Sequence, residues 1–186
     1  MSAALVLLGA AVNLLGTAHY VRRTLIGQTQ PNKMTFLLWS IVPFIGSAAA
    51  FAAGATWAAV PAFFAGLCPF LVFLASFVNP KAYWRLSTGD YICGALSVLA
   101  ILLWYITAEP LTALVLALFA DALATLPTLI KAWKYPETES SFGFFSSAFS
   151  GLMGVLAAKS WAFAEVAFPI YLFVSMSAVA IGAMRK

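Results

Sequence analysis

The chain has 186 residues, of which 63% are apolar and only 9% charged, with a formal net charge of +4 and a mean hydropathy of +0.98. A soluble domain is nearer half apolar and a quarter charged, so this chain cannot cover its own surface in water and must be covered by lipid. That excludes a hidden soluble catalytic or nucleic-acid-binding domain, and because nearly all the charges flank apolar runs, the +4 does not point to an anionic partner.

At about 20 residues per crossing, the apolar runs predict an all-α integral membrane protein with seven spanning helices. The first covers 2–22. No basic residue precedes it, so it reads as a spanning helix rather than a cleaved signal peptide. The second covers 34–54 and the third 57–78, with Gly54 and Thr56 marking the turn between them. Asn79 and Pro80 close the third helix. The fourth covers 90–107 and the fifth 110–131, separated at Glu109-Pro110. Asp90 and Glu109 read as helix-start residues. The segment Pro136-Glu137-Thr138-Glu139-Ser140-Ser141 reads as a solvated connector, in which Glu139 or Ser140 caps the next helix. The sixth, 142–158, is short and rich in Ser and Gly; Ser147, Ser150, Gly151 and Gly154 have the spacing of close helix packing, with a ligand contact as the alternative. The seventh covers 161–184, and Glu165 in its first turn is favoured by the helix dipole, with a gate as the alternative.

Seven crossings put Arg22, Arg23, Lys33, Lys81, Arg85, Lys131, Lys134, Arg185 and Lys186 on one face and only Lys159 on the other. The face rich in Lys and Arg is the cytoplasmic one, which predicts the N-terminus outside and the C-terminus inside a cell membrane. Trp57, Trp104 and Trp161 then fall at outer ends and Trp84 and Trp133 at inner ends, as an aromatic belt requires. Trp39 is the exception, more than a turn inside the second helix. His19, beside Arg22 and Arg23, reads as an interfacial structural residue, with a proton relay as the alternative.

An offset of 108 overlays helices one to three on helices five to seven. It matches Pro61 with Pro169, Gly46 with Gly154, Phe36 with Phe144, Thr17 with Thr125, Asn13 with Asp121 and Arg23 with Lys131. The chain then divides into repeat one (1–78), a linker helix (79–108) and repeat two (109–186). A single linker helix between odd-numbered repeats leaves them parallel, related by an axis along the membrane normal.

Two stretches carry a family resemblance. Leu126-Pro127-Thr128-Leu129-Ile130-Lys131 looks like the proline motif at the inner end of a PQ-loop helix, with Thr128 where the family has Gln. Gln30-Pro31-Asn32-Lys33-Met34-Thr35-Phe36-Leu37-Leu38-Trp39 resembles the start of the second helix in small bacterial integral membrane proteins. In architecture the whole chain resembles the SWEET and PQ-loop transporter superfamily. In the first repeat, His19-Tyr20 stands at the proline-glutamine position. The resemblance implies a 3+1+3 arrangement and a small-solute transporter, facilitative or proton-coupled, with its site between the two three-helix repeats.

Asp121 lies near the middle of the fifth helix, where a carboxylate costs about 2.5–3.5 kcal/mol on insertion scales and must face the bundle interior. Thr125 and Thr128 follow it at helical spacing on one face. Asn13 and Thr17 repeat that spacing on the first helix, so two polar stripes converge at the repeat interface. They read either as a substrate-binding or proton-coupling site or as a polar contact joining helices. Trp39 reads as a stacking wall of that site or as ordinary packing, and Tyr171, matched to Phe63, as a weaker version of the same. Pro43, Pro61, Pro69, Pro127 and Pro169 each remove a backbone hydrogen bond; Pro43, Pro61, Pro127 and Pro169 are the candidate hinges, with static kinks as the alternative.

One histidine and two scattered cysteines, Cys68 and Cys93, predict no metal site and no disulfide. Without paired intramembrane carboxylates we expect no catalytic dyad, and no cofactor is implied. The seventh helix lacks an interior lysine for a retinal Schiff base. The expected partners are the lipid bilayer and a small-molecule solute, with proton coupling and a homo-oligomer left open and no nucleic acid. The competing function is a seven-helix receptor or sensor that binds its ligand without releasing it across the membrane.

Overall fold

The computed structural model describes residues 2–52, 60–106 and 110–185. Among these residues the chain is all-helical: α1 (Ser2–Leu25), α2 (Lys33–Ala52), α3 (Val60–Ala75), α4 (Thr88–Ile106), α5 (Pro110–Lys134), α6 (Ser141–Ala157) and α7 (Phe163–Met184). Short 3-10 turns occupy Pro80–Ala82 and Pro136–Thr138. The expected markers Gly54, Thr56, Trp57 and Glu109 lie outside the described residues.

The helix ends follow local chemistry. α1 and α5 each run a turn past their apolar segments, carrying Arg22 and Arg23, and Lys131 and Lys134, in the last turn. Cations there complement the negative end of the helix dipole. The chain leaves α1 through Gly27, at φ 75°, a left-handed conformation open to glycine. Asn32 Oδ1 caps α2 by accepting from the backbone N–H groups of Met34 (3.1 Å) and Thr35 (3.3 Å). Of the two candidate caps of α6, Ser140 has the role: its hydroxyl accepts from Gly143 N at 3.5 Å.

Packing repeats along the chain. In the first triplet α3 packs against both α1 and α2, and in the last triplet α7 packs against both α5 and α6. Across the triplets, α1 meets α6 and α2 meets α5, while α4 lies against α5 and α2. Seams are close where glycine allows it. A β-carbon on Gly16 of α1 would fall 2.5 Å from Ser146 Cβ on α6, and one on Gly151 would fall 2.7 Å from the Phe173 backbone nitrogen of α7. Hydroxyls tie other helices to carbonyl groups: Thr35 Oγ1 donates to Ala124 O (2.7 Å) and Ser97 Oγ to Ala120 O (2.9 Å).

Three helical segments are long and apolar enough to cross a membrane: Ala3–Leu25, Leu114–Lys134 and Phe163–Met184. Shorter apolar segments are Lys33–Ile45, Phe63–Ala75, Thr88–Leu103 and Ser141–Ala157. The outward faces are apolar too; Leu7, Leu15, Tyr105 and Ile106 are each at least two-thirds exposed. A surface of this kind on all sides is suited to hydrocarbon rather than water.

One end of the bundle gathers the α1–α2 loop, the α3–α4 segment, the α5–α6 loop and the end of α7. Gln30 N donates to Thr138 O (2.9 Å), Asn79 Nδ2 to Leu25 O (2.8 Å), and Arg185 stacks on Trp133 at 4.9 Å. Every described Lys and Arg except Lys159 belongs to this end, which we call the clasp end. The main apolar core lies beneath it, built on Phe36, Val72, Phe144, Met176 and Val179.

The α5–α6 loop departs from the expected solvated connector. Glu139 and Ser140 are fully buried. Glu139 Oε1 pairs with Lys131 Nζ at 2.5 Å, both side chains almost wholly buried. Glu139 Oε2 accepts from the Tyr20 hydroxyl. Lys131 also donates to the Gln30 carbonyl and stands 4.6 Å from the Trp84 ring. The charge is drawn inward because its partners come from α1 and α5 rather than from the loop itself; a buried carboxylate persists only when paired and hydrogen-bonded.

Candidate functional site

Asp121 sits halfway along α5 and is the seed of the site. Tyr171 of α7 donates to its Oδ2 at 2.7 Å. The Thr125 hydroxyl, one turn along α5, lies 3.3 Å from the same oxygen, 2.8 Å from the Asp121 carbonyl and 2.9 Å from the Tyr171 hydroxyl. Trp39 of α2 donates its indole N–H to Thr125 Oγ1 at 3.2 Å. Three helices therefore converge on one carboxylate through hydroxyl and indole groups.

A second polar contact lies between α1 and α6. Ser147 Oγ donates to Asn13 Oδ1 at 2.8 Å. Asn13 is the repeat mate of Asp121, and Ser147 stands 108 residues after Trp39. The two contacts thus join corresponding helix pairs, α1 with α6 and α5 with α2.

Between them is a cavity of about 290 Å³ whose wall includes Asn13, Thr17, Trp39, Pro43, Asp121, Ser147 and Ser150. This is near the lower end of the roughly 300–1,000 Å³ range of small-molecule pockets. The structure brings four of the five expected residues, Asn13, Thr17, Trp39 and Asp121, to one cavity wall. Thr125 stands behind the wall, where it orients Asp121, Tyr171 and Trp39. Thr128, expected on the same face, is fully buried and does not line the cavity.

Tyr20 closes the cavity toward the clasp end. Its ring lies between the repeat-matched Phe36 (5.3 Å) and Phe144 (5.7 Å), and its hydroxyl reaches Glu139. Tyr20, Phe36 and Phe144 are each no more than 5% exposed, whereas Phe168, on the far side of the same cavity, is 44% exposed.

Of the candidate hinges, Pro43 lines the cavity, as does Pro69. Pro127 lies inside α5, six residues beyond Asp121. Pro169 packs against the small residues of α6, its carbonyl 3.0 Å from a β-carbon placed on Gly151. Pro61 is the second described residue of α3, and residues 53–59 before it lie outside the described residues. Glu165 accepts from the backbone N–H groups of Lys159 (2.8 Å) and Ser160 (3.0 Å), tying down the turn before α7. His19 meets the Phe142 ring edge at 5.1 Å, away from the cavity wall.

For Ser147 and Ser150 the spacing favours helix packing over a ligand contact, and it does not single out Tyr20 as a lining residue. The signal was present for Ser147, because the 108-residue offset pairs it with Trp39. For Tyr20 there was none, since its mate Thr128 is neither aromatic nor at the cavity. No family model, curated protein or solved structure matches this chain significantly.

Proposed function

We propose that the chain is a seven-span cell-membrane protein, N-terminus outside, with 3+1+3 parallel repeats resembling the SWEET and PQ-loop superfamily, and that it moves a small solute through the central cavity. The observation that carries this reading is the convergence of Asn13, Thr17, Trp39 and Asp121 on one cavity between the triplets. Solute would bind there and exchange sides as one triplet rocks against the other. The clasp end, rich in Lys and Arg, would face the cytoplasm. Asp121 and Asn13 supply polar contacts and Trp39 a flat wall. A carboxylate that gains and loses a proton during the cycle makes transport proton-coupled; one that stays in a single state makes it facilitated diffusion.

The test is thermal unfolding of the purified protein against a broad panel of small solutes, followed by flux of any stabilising solute into vesicles. Ligand that binds only the folded state raises the melting temperature. Uptake by wild type that is lost in Asp121→Asn supports transport through this cavity. Binding without net flux turns the reading to a receptor. Topology is checked by single cysteines at positions 159 and 134 in a cysteine-free background. Labelling of 159 alone by an impermeant reagent on intact cells is the expected result, and labelling of 134 would overturn the assignment.

A further inference from the structure

We infer that the solute is a small organic cation, a protonated amine carrying a hydrogen-bond acceptor at its other end. The inference rests on the solute site just described and specifies its chemistry.

Charge is the first argument. Among the described residues lining the cavity, Asp121 is the only acid and there is no Lys, Arg or His. A carboxylate or phosphate solute would leave water without a counter-ion, and an unpaired charge in such a place is strongly disfavoured. An ammonium group would instead meet a carboxylate already held in place.

Hydrogen-bond capacity is the second. Tyr171 and Thr125 both address Asp121 Oδ2, and no described residue donates to Oδ1. An ionised carboxylate has acceptor sites on both oxygens, so one oxygen of a cavity-lining side chain is left for the occupant. The opposite pole has the complementary polarity: Asn13 uses its carbonyl oxygen on Ser147, which leaves its amide N–H groups to be matched by an acceptor. The repeat-related pair Asn13 and Asp121 thus makes a site with one donor end and one anionic end.

The walls are the third. Trp39 commits its indole N–H to Thr125, so its contribution to the cavity is ring surface. Phe168 and Tyr20 add further aromatic wall. A cation near such faces gains from the ring quadrupole, and more so out of water.

Two series test this by thermal unfolding: glucosamine, glucose and glucuronate, and tyramine, 4-hydroxyphenylethanol and 4-hydroxyphenylacetate. Each series keeps a common ring bearing hydroxyl acceptors, and its members are cationic, neutral and anionic in turn. The expected result is stabilisation by the amine of at least one series, half-saturating at a concentration at least tenfold below that of its alcohol or neutral sugar. That difference disappears in Asp121→Asn and persists in Glu165→Gln, whose acid lies outside the cavity. If Asp121→Asn does not fold, Trp39→Leu replaces it and weakens the amine more than the alcohol. Equal binding of neutral and cationic members, or preference for the carboxylate, overturns the cation and leaves the solute site standing. Silence of both series overturns the cation as well, and the solute site falls with it only if the broad panel is also silent.

Discussion

The two polar networks between the triplets are built from similar parts and solved differently. At the clasp end, Tyr20, Lys131 and Glu139 are buried and satisfy one another together with the half-buried Gln30. In the cavity, Asp121 and Asn13 each keep hydrogen-bonding capacity unspent. A closed network of charges rigidifies the place where it sits, because removing any member strands the others. An open one tolerates the loss of a neighbour and has something to offer a ligand. The difference teaches which polar cluster is suited to holding the fold and which is left open to a ligand.

Breaking the clasp has the largest expected effect. Lys131→Met leaves Glu139 buried and unpaired and destabilises the protein by ~3–5 kcal/mol, while Lys131→Met with Glu139→Leu recovers much of the loss. Thermal or denaturant unfolding in detergent reads both. Gly151→Ala comes next, at ~1–3 kcal/mol, because the added carbon meets the α7 backbone rather than a movable side chain; the same measurement applies. Tyr20→Phe removes one donor to Glu139 and lowers stability by ~1–2 kcal/mol. The smallest effect belongs to the cavity: Ser147→Ala changes stability by only ~0.6 kcal/mol, the usual worth of such a contact between membrane helices. A Ser147→Ala loss as large as that of Lys131→Met would erase the contrast between the two networks.

Much of this was legible in the chain. Seven apolar runs gave helices whose described ends fall within a few residues of the expected ones, since a long apolar run is a local signal; three of them hold segments long and apolar enough to cross a membrane. Asp121 stood out because an acid in an apolar run is too costly to be incidental, and Asn13 and Thr17 followed from the repeat. Glu139 was misread for the opposite reason. In a loop flanked by Pro136 and Ser140 an acid looks solvated, and the Tyr20 hydroxyl that helps bury it is 119 residues away. Tyr171 was underweighted because its repeat mate Phe63 lacks the hydroxyl that reaches Asp121. Contacts made only by tertiary packing leave little trace in spacing.

Trp39 has one more consequence, an optical one. Trp84 and Trp133 lie at the clasp end and Trp161 in the segment before α7, whereas Trp39 alone among the described tryptophan side chains lines the cavity. Its indole N–H is tethered to Thr125, next to the one carboxylate in the wall. Excited-state emission from that ring depends on the field and the quenchers around it. If solute fills the cavity as proposed, a titration of intrinsic fluorescence, compared with Trp39→Phe, reports its filling and emptying in real time without a label.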